Sequence, residues 1–195
     1  MRPSLVLLAG PNGAGKSTLY ETRVAPRFAG PFINADVIQR DELKDVSVEA
    51  SYKAAEIAAA RRLEMLAEGR SFATETVFSH PSKLDVIEVA RQRGYIVIVM
   101  HVGIDSPDLS VARIRERVSE GGHDVPEDKV RARFDRGGPL IRQAVLRADR
   151  GLVYDNSRLN EPPRQVLAFA DGRLSQVAPD LPQWALSIYA DDLVI

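Results

Sequence analysis

Short apolar runs recur along the chain at Leu5–Ala9, Pro31–Asn34, Ser71–Thr76, Tyr95–Val102 and Gly151–Tyr154, with helical spacing between them. Runs of this length without polar alternation suit strands buried on both faces of a parallel sheet. Between the second and third runs, Val48, Tyr52, Ala55, Ala59, Leu63 and Leu66 fall on one helical stripe, which predicts a helix packed through those residues and capped by Gly69. Pro81 is placed to start the helix after the third strand and Gly94 to end it. The β-α-β-α alternation predicts a three-layer α/β/α fold around a mostly parallel five-stranded sheet, with ligands at the carboxyl ends of the strands.

Residues 107–148 read differently, as two arginine-rich helical stretches flanking the glycine-bearing hinge GGHDVP, Gly121–Pro126. This region is expected to form a helical lid. Beyond Tyr154, RQVLAFADGRLSQVA sets Asp171-Gly172 between two strand-like runs, the pattern of a C-terminal β-hairpin, so 160–195 is expected to be an appendage of one domain spanning 1–195.

Composition narrows the function classes. The 195 residues are 45% hydrophobic and 27% charged, enough for a core and without a disorder signature. With 26 Lys plus Arg against 27 Asp plus Glu, the net charge of -1 argues against nucleic-acid or anionic-membrane partners. The chain has no cysteine and hence no disulfide or thiolate metal site. Leu5–Ala9 is too short for a signal-peptide core, so a cytoplasmic protein is expected.

Gly10-Pro11-Asn12-Gly13-Ala14-Gly15-Lys16-Ser17 matches G-x-x-x-x-G-K-[ST] between a strand and a helix, the context of a phosphate-binding P-loop. Its N–H groups and the helix start are suited to phosphate oxygens, Lys16 to the β- and γ-phosphates of ATP, and the Ser17 hydroxyl to Mg²⁺, with Thr18 following. No N/T-K-x-D guanine motif is present, and the strand Tyr95–Val102 does not end in an acidic residue that would position water for hydrolysis. Asp105 beside Ser106-Pro107 suits a helix cap as well as catalysis.

On the acceptor side, Asp36 follows the second strand and Glu75-Thr76 ends the third. A carboxylate at Asp36 suits a general base or an Mg²⁺ contact, and equally a helix cap. Glu75 suits a hydrogen bond to an acceptor. His80 reads as a helix-entry residue and His101 as a satisfied buried histidine; the three histidines have no metal-ligand spacing. Arg113 and Arg117 share one helical face, while Val130, Phe134, Ile141 and Val145 leave Lys129, Arg133 and Arg136 along one flank of the next helix. Closing over a transferred phosphoryl group is one use of these cations, and a solvated surface is the other.

The P-loop, FINAD, ATET and the arginine segment before GGHDVP together resemble the zeta-toxin family of P-loop kinases, from about Leu5 to Asn156. The resemblance implies a P-loop kinase-like fold and phosphorylation of a hydroxyl on a UDP-sugar such as UDP-N-acetylglucosamine by ATP, with an antitoxin protein as a possible partner. It implies Lys16 and Ser17 at phosphate and Mg²⁺, Asp36 as base, Glu75 and Thr76 at the acceptor, Arg117 at the phosphates, and Asn156 in the adenine loop. Where the family has a second arginine before a proline, this sequence has His123; His123, Arg133 or Arg136 is left to take its place. Other acceptors, an antibiotic, a sugar or a nucleoside, and a nucleotide-binding interaction protein are the alternatives.

Overall fold

The computed structural model describes residues 2–119 and 125–193. Its strands are β1 (Ser4–Ala9), β2 (Phe32–Ile33), β3 (Phe72–Thr76), β4 (Ile96–Gly103), β5 (Arg150–Asp155), β6 (Arg164–Ala170) and β7 (Arg173–Val177), in the sheet order β2-β3-β1-β4-β5-β6-β7. The first five pair in parallel and the last two antiparallel. The C-terminal hairpin therefore continues the sheet edge beyond β5, extending the five strands expected from sequence to seven. Its turn works because Asp171 and Gly172 both take positive φ, 49° and 75°, matching the twist of the hairpin.

β1 lies at the centre of the five parallel strands, and its pleat sends alternate residues into two cores. Leu5 and Leu7 pack with α3 (Val48–Glu68), α4 (Asp85–Gln92), α6 (Glu127–Arg147) and α7 (Gln183–Tyr189). Val6 and Leu8 pack with Leu19 of α1 (Lys16–Leu19), Leu109 of α5 (Pro107–Ser119) and Tyr154 of β5. The short α2 (Ala35–Val37) follows β2. Ala9, the last residue of β1, stands beside Thr76 and His101 on its two neighbours, so the P-loop opens between the ends of β3 and β4.

α3 differs from its sequence reading. Ser47 caps its start, accepting from Ala50 N–H at 3.1 Å, and Gly69 closes it as expected. The face on the sheet, however, is Ala50, Ala54, Ala58, Met65 and Leu66. Of the expected stripe only Leu66 is fully buried, and Tyr52 and Leu63 are each 63% exposed. Small alanines let α3 approach the sheet closely, and the bulkier residues turn towards an open cleft instead.

In α6 the expected stripe holds: Val130, Ile141 and Val145 are buried and Phe134 is partly buried. The Gly121-Gly122 hinge and His123 lie outside the described residues. No helix among the described residues is long and apolar enough to cross a membrane.

Candidate functional site

The loop after β1 curls because Gly13 and Gly15 take φ of 71° and 87°, where a side chain would be strained. Among the described residues the N–H groups of Gly13 and Gly15 have no hydrogen-bond partner, and those of Lys16 and Ser17 open the first turn of α1, where no intrahelical acceptor exists.

Four successive carbonyls of the loop each accept from a side chain. Lys16 Nζ donates to Pro11 O at 3.0 Å, Ser110 Oγ to Asn12 O, Arg113 Nη1 to Gly13 O at 3.3 Å, and Asn156 Nδ2 to Ala14 O at 2.8 Å. Ser110 and Arg113 come from α5 and Asn156 from the loop after β5, so two separate elements hold the cradle open for an anion. Gly15 is also needed sterically, since a Cβ there would strike the Asn156 amide.

Lys16 is 7% exposed, and its pKa is lowered chiefly by burial, against the pull of Glu75 and Asp36, with Arg117 adding to the lowering. A buried ammonium with one neutral carbonyl partner is ready for a phosphate. Ser17 Oγ donates to Glu75 Oε2 at 2.9 Å, which puts two hard oxygen donors at the mouth of the loop. That donor set fits Mg²⁺ carried by a nucleotide. Among the described residues no group of three or more His, Cys, Asp or Glu is placed to hold a metal ion.

Asp36 does not cap its helix. Asn34 does so, accepting from Asp36 N–H at 2.8 Å. The Asp36 carboxylate is 62% exposed and lies 4.0 Å from Arg117 Nη1. Asp36, Glu75, Thr76, Lys16, Ser17, Thr18, Arg117, Arg133 and Asn156 all border one cleft of about 1130 Å³, floored by Leu7 and Thr74. Thr76 also has a local task, its hydroxyl accepting from Phe78 N–H at 3.1 Å to hold the turn after β3. Gly10, Pro11 and Ala14 build the loop without bordering the cleft. Arg136 lies outside it as well, with Nε bonded to Ala132 O of its own helix.

Other expected residues keep local roles. Ser106 Oγ, not Asp105, accepts from Leu109 N–H and caps α5. His80 Nδ1 accepts from Ser82 N–H at the entry to the turn Pro81–Leu84. His101 is buried with Nδ1 2.8 Å from Tyr189 Oη, and burial pushes its pKa down to about 3. Sequence reasoning missed Ser110 and Asn156 as braces of the loop; Ser110 lies almost a hundred residues from Asn12, and no local pattern joins them.

The chain is similar at 27% identity over 143 residues to an uncharacterized protein of Haemophilus influenzae, across 69% of this chain and 94% of that protein. Among solved structures it is similar to one from the PezAT chromosomal toxin–antitoxin system of Streptococcus pneumoniae, with a TM-score of 0.63 and 17% identity over 86% of this chain and 72% of that one. It is also similar to the AvrRxo1-ORF1:AvrRxo1-ORF2 complex with ATP, with a TM-score of 0.68 and 14% identity over 98% of this chain and 63% of that one. At these identities the likeness to the solved structures is one of fold, and it agrees with the P-loop kinase-like architecture that the motifs implied. The family model described as an AAA domain, AAA_33, matches residues 5–138, from β1 through the P-loop and both strand-end carboxylates into α6. A match across that much of the chain makes this protein a member of the AAA_33 family.

Proposed function

We propose that this protein is an ATP-dependent phosphotransferase that moves the γ-phosphoryl group of ATP to a hydroxyl of a small molecule. The observation that carries the reading is the placement of the Asp36 carboxylate, relieved of capping by Asn34, exposed in the same cleft as the Lys16 cradle. At 4.0 Å from Arg117 and largely exposed, the carboxylate keeps its oxygens open to an acceptor hydroxyl.

The unpartnered N–H groups of the loop and Lys16 hold the β- and γ-phosphates. Ser17 and Glu75 would hold an Mg²⁺ ion that arrives with the nucleotide, and the ion would neutralise charge on the phosphates. Asp36 takes the proton of the acceptor hydroxyl as its oxygen bonds to γ-phosphorus, while the bridging P–O bond breaks and its electron pair leaves on ADP. Arg117, beside Asp36, and Arg133, on the facing helix, supply guanidinium donors for the charge on the equatorial oxygens. Asn156 braces the loop through Ala14 O.

A UDP-sugar is the leading acceptor. The resemblance of the P-loop, FINAD and ATET segments to zeta toxins supports it, as does a cleft of about 1130 Å³, just above the common range of ligand-pocket volumes, roughly 300–1,000 Å³. The extra space comes from the outward apolar face of α3. By the same likeness, an antitoxin-type protein that covers the mouth of the cleft is the partner we propose. The test is incubation of the protein with ATP, Mg²⁺ and a panel of UDP-sugars, free sugars, nucleosides and antibiotics, with products read by mass spectrometry. A UDP-sugar heavier by one phosphoryl group is expected; phosphorylation of a different panel member alone would reassign the acceptor.

A further inference from the structure

The cleft continues past the catalytic residues into a trench between α3 and α4. One wall is Tyr52, Ala55, Ala59 and Leu63 of α3, and the other is Val86 and Val89 of α4. Two cations stand in this apolar trench: Arg62 of α3, and Lys83 in the turn Pro81–Leu84 that follows Glu75 and β3.

Among the described residues, neither Arg62 nor Lys83 makes an ion pair or a side-chain hydrogen bond, and Asp85, which also borders the cleft, pairs with neither. Other arginines of this chain are tied to carboxylates at short range, as Arg61 is to Glu42 at 2.6 Å and Arg142 to Asp192 at 2.6 Å. Arg62 and Lys83 are both half-buried in the lining of the same cleft, and the Lys83 ammonium is held below its usual pKa first by burial and then by the Arg62 charge. Two like charges brought together in a partly dry trench cost free energy in the empty protein, and that cost is relieved by a bound anion.

We propose that Arg62 and Lys83 form an anion subsite for the acceptor, which carries a phosphate or carboxylate group there and lays a flat apolar body along Tyr52, Ala55, Ala59 and Leu63. This rests on the reading of the cleft as an acceptor site and sharpens it: anionic acceptors are favoured, and cationic antibiotics are repelled.

The test reads binding alone, so failure of phosphoryl transfer and failure of this subsite register separately. With the P-loop saturated by Mg²⁺ and a non-hydrolysable ATP analogue, phenyl phosphate, benzoate and uncharged phenol are titrated by calorimetry. Phenyl phosphate or benzoate is expected to bind at least about tenfold more tightly than phenol, a difference lost in the doubly substituted Arg62→Gln, Lys83→Gln protein and kept in Arg62→Lys. Stronger binding of phenyl phosphate than of benzoate assigns the group as a phosphate, and the reverse order as a carboxylate. Unchanged affinity for the ATP analogue shows that the doubly substituted protein is folded. Equal binding of phenol and both anions, or anion binding undiminished in the double variant, overturns the proposal.

Discussion

Asn156 Nδ2 donates a hydrogen bond to Ala14 O at 2.8 Å, joining the loop after β5 to the phosphate cradle 142 residues away in sequence. Its own N–H is fixed to Gly103 O of β4 at 2.9 Å, so the brace is anchored at both ends. Replacing Asn156 by alanine removes one donor and leaves a cradle carbonyl unpaired, a change of about 1 kcal/mol in stability. ATP and GTP are expected to lose affinity by the same few-fold factor, measured by calorimetry. A loss confined to ATP would place Asn156 at the adenine instead.

Lys16→Ala removes the cation that the loop encloses. A charge-assisted contact to phosphate contributes about 1.5–3 kcal/mol, so affinity for ATP is expected to fall roughly 10- to 100-fold. The melting temperature should hold or rise, because a buried ammonium with one carbonyl partner is removed. A lower melting temperature would mean that Lys16 stabilises the empty fold.

The outward face of α3 separates the observed packing from the stripe read in the sequence. Tyr52→Ser and Leu63→Ser are expected to change stability by no more than about 0.5 kcal/mol, as exposed positions do. Ala54→Leu, on the face against the sheet, is expected to cost roughly 1–3 kcal/mol through overpacking. Denaturant melts decide between the two orientations.

His101 supplies a pH dependence with a definite sign. Its folded pKa is about 3 against 6.5 for the free side chain, so between those values the unfolded chain binds the extra proton. Its contribution to stability is complete above pH 6.5 and falls as pH drops towards 3, by up to about 1.4 kcal/mol per unit inside that window. His101→Gln should flatten this part of the stability profile in chemical melts. An unchanged slope would show that carboxylates alone set it.

The strand cores and the P-loop were legible in the sequence because each is local: an apolar run, or a spacing of glycines before a lysine. Asp36 was legible as a strand-end residue, but its freedom from capping was not, since Asn34 and Asp36 are both good caps and only geometry chooses between them. The braces Ser110 and Asn156 were invisible for the opposite reason, being ordinary polar residues whose partners lie far away in sequence. On α3, alanine and larger apolar residues both recur at helical spacing. Periodicity alone cannot say which set meets the sheet; the close approach that alanine permits decides it.

The most direct test of the central claim compares wild type with Asp36→Asn for acceptor-dependent ADP formation, alongside affinity for a non-hydrolysable ATP analogue. Loss of a general base typically lowers turnover by about 10²- to 10⁴-fold. The account predicts a loss of that size with nucleotide affinity not weakened, because among the described residues Asp36 makes no hydrogen bond to the loop and its charge reaches Lys16 only through space. Undiminished transfer by Asp36→Asn, or nucleotide binding in wild type without phosphorylation of any acceptor, would contradict it.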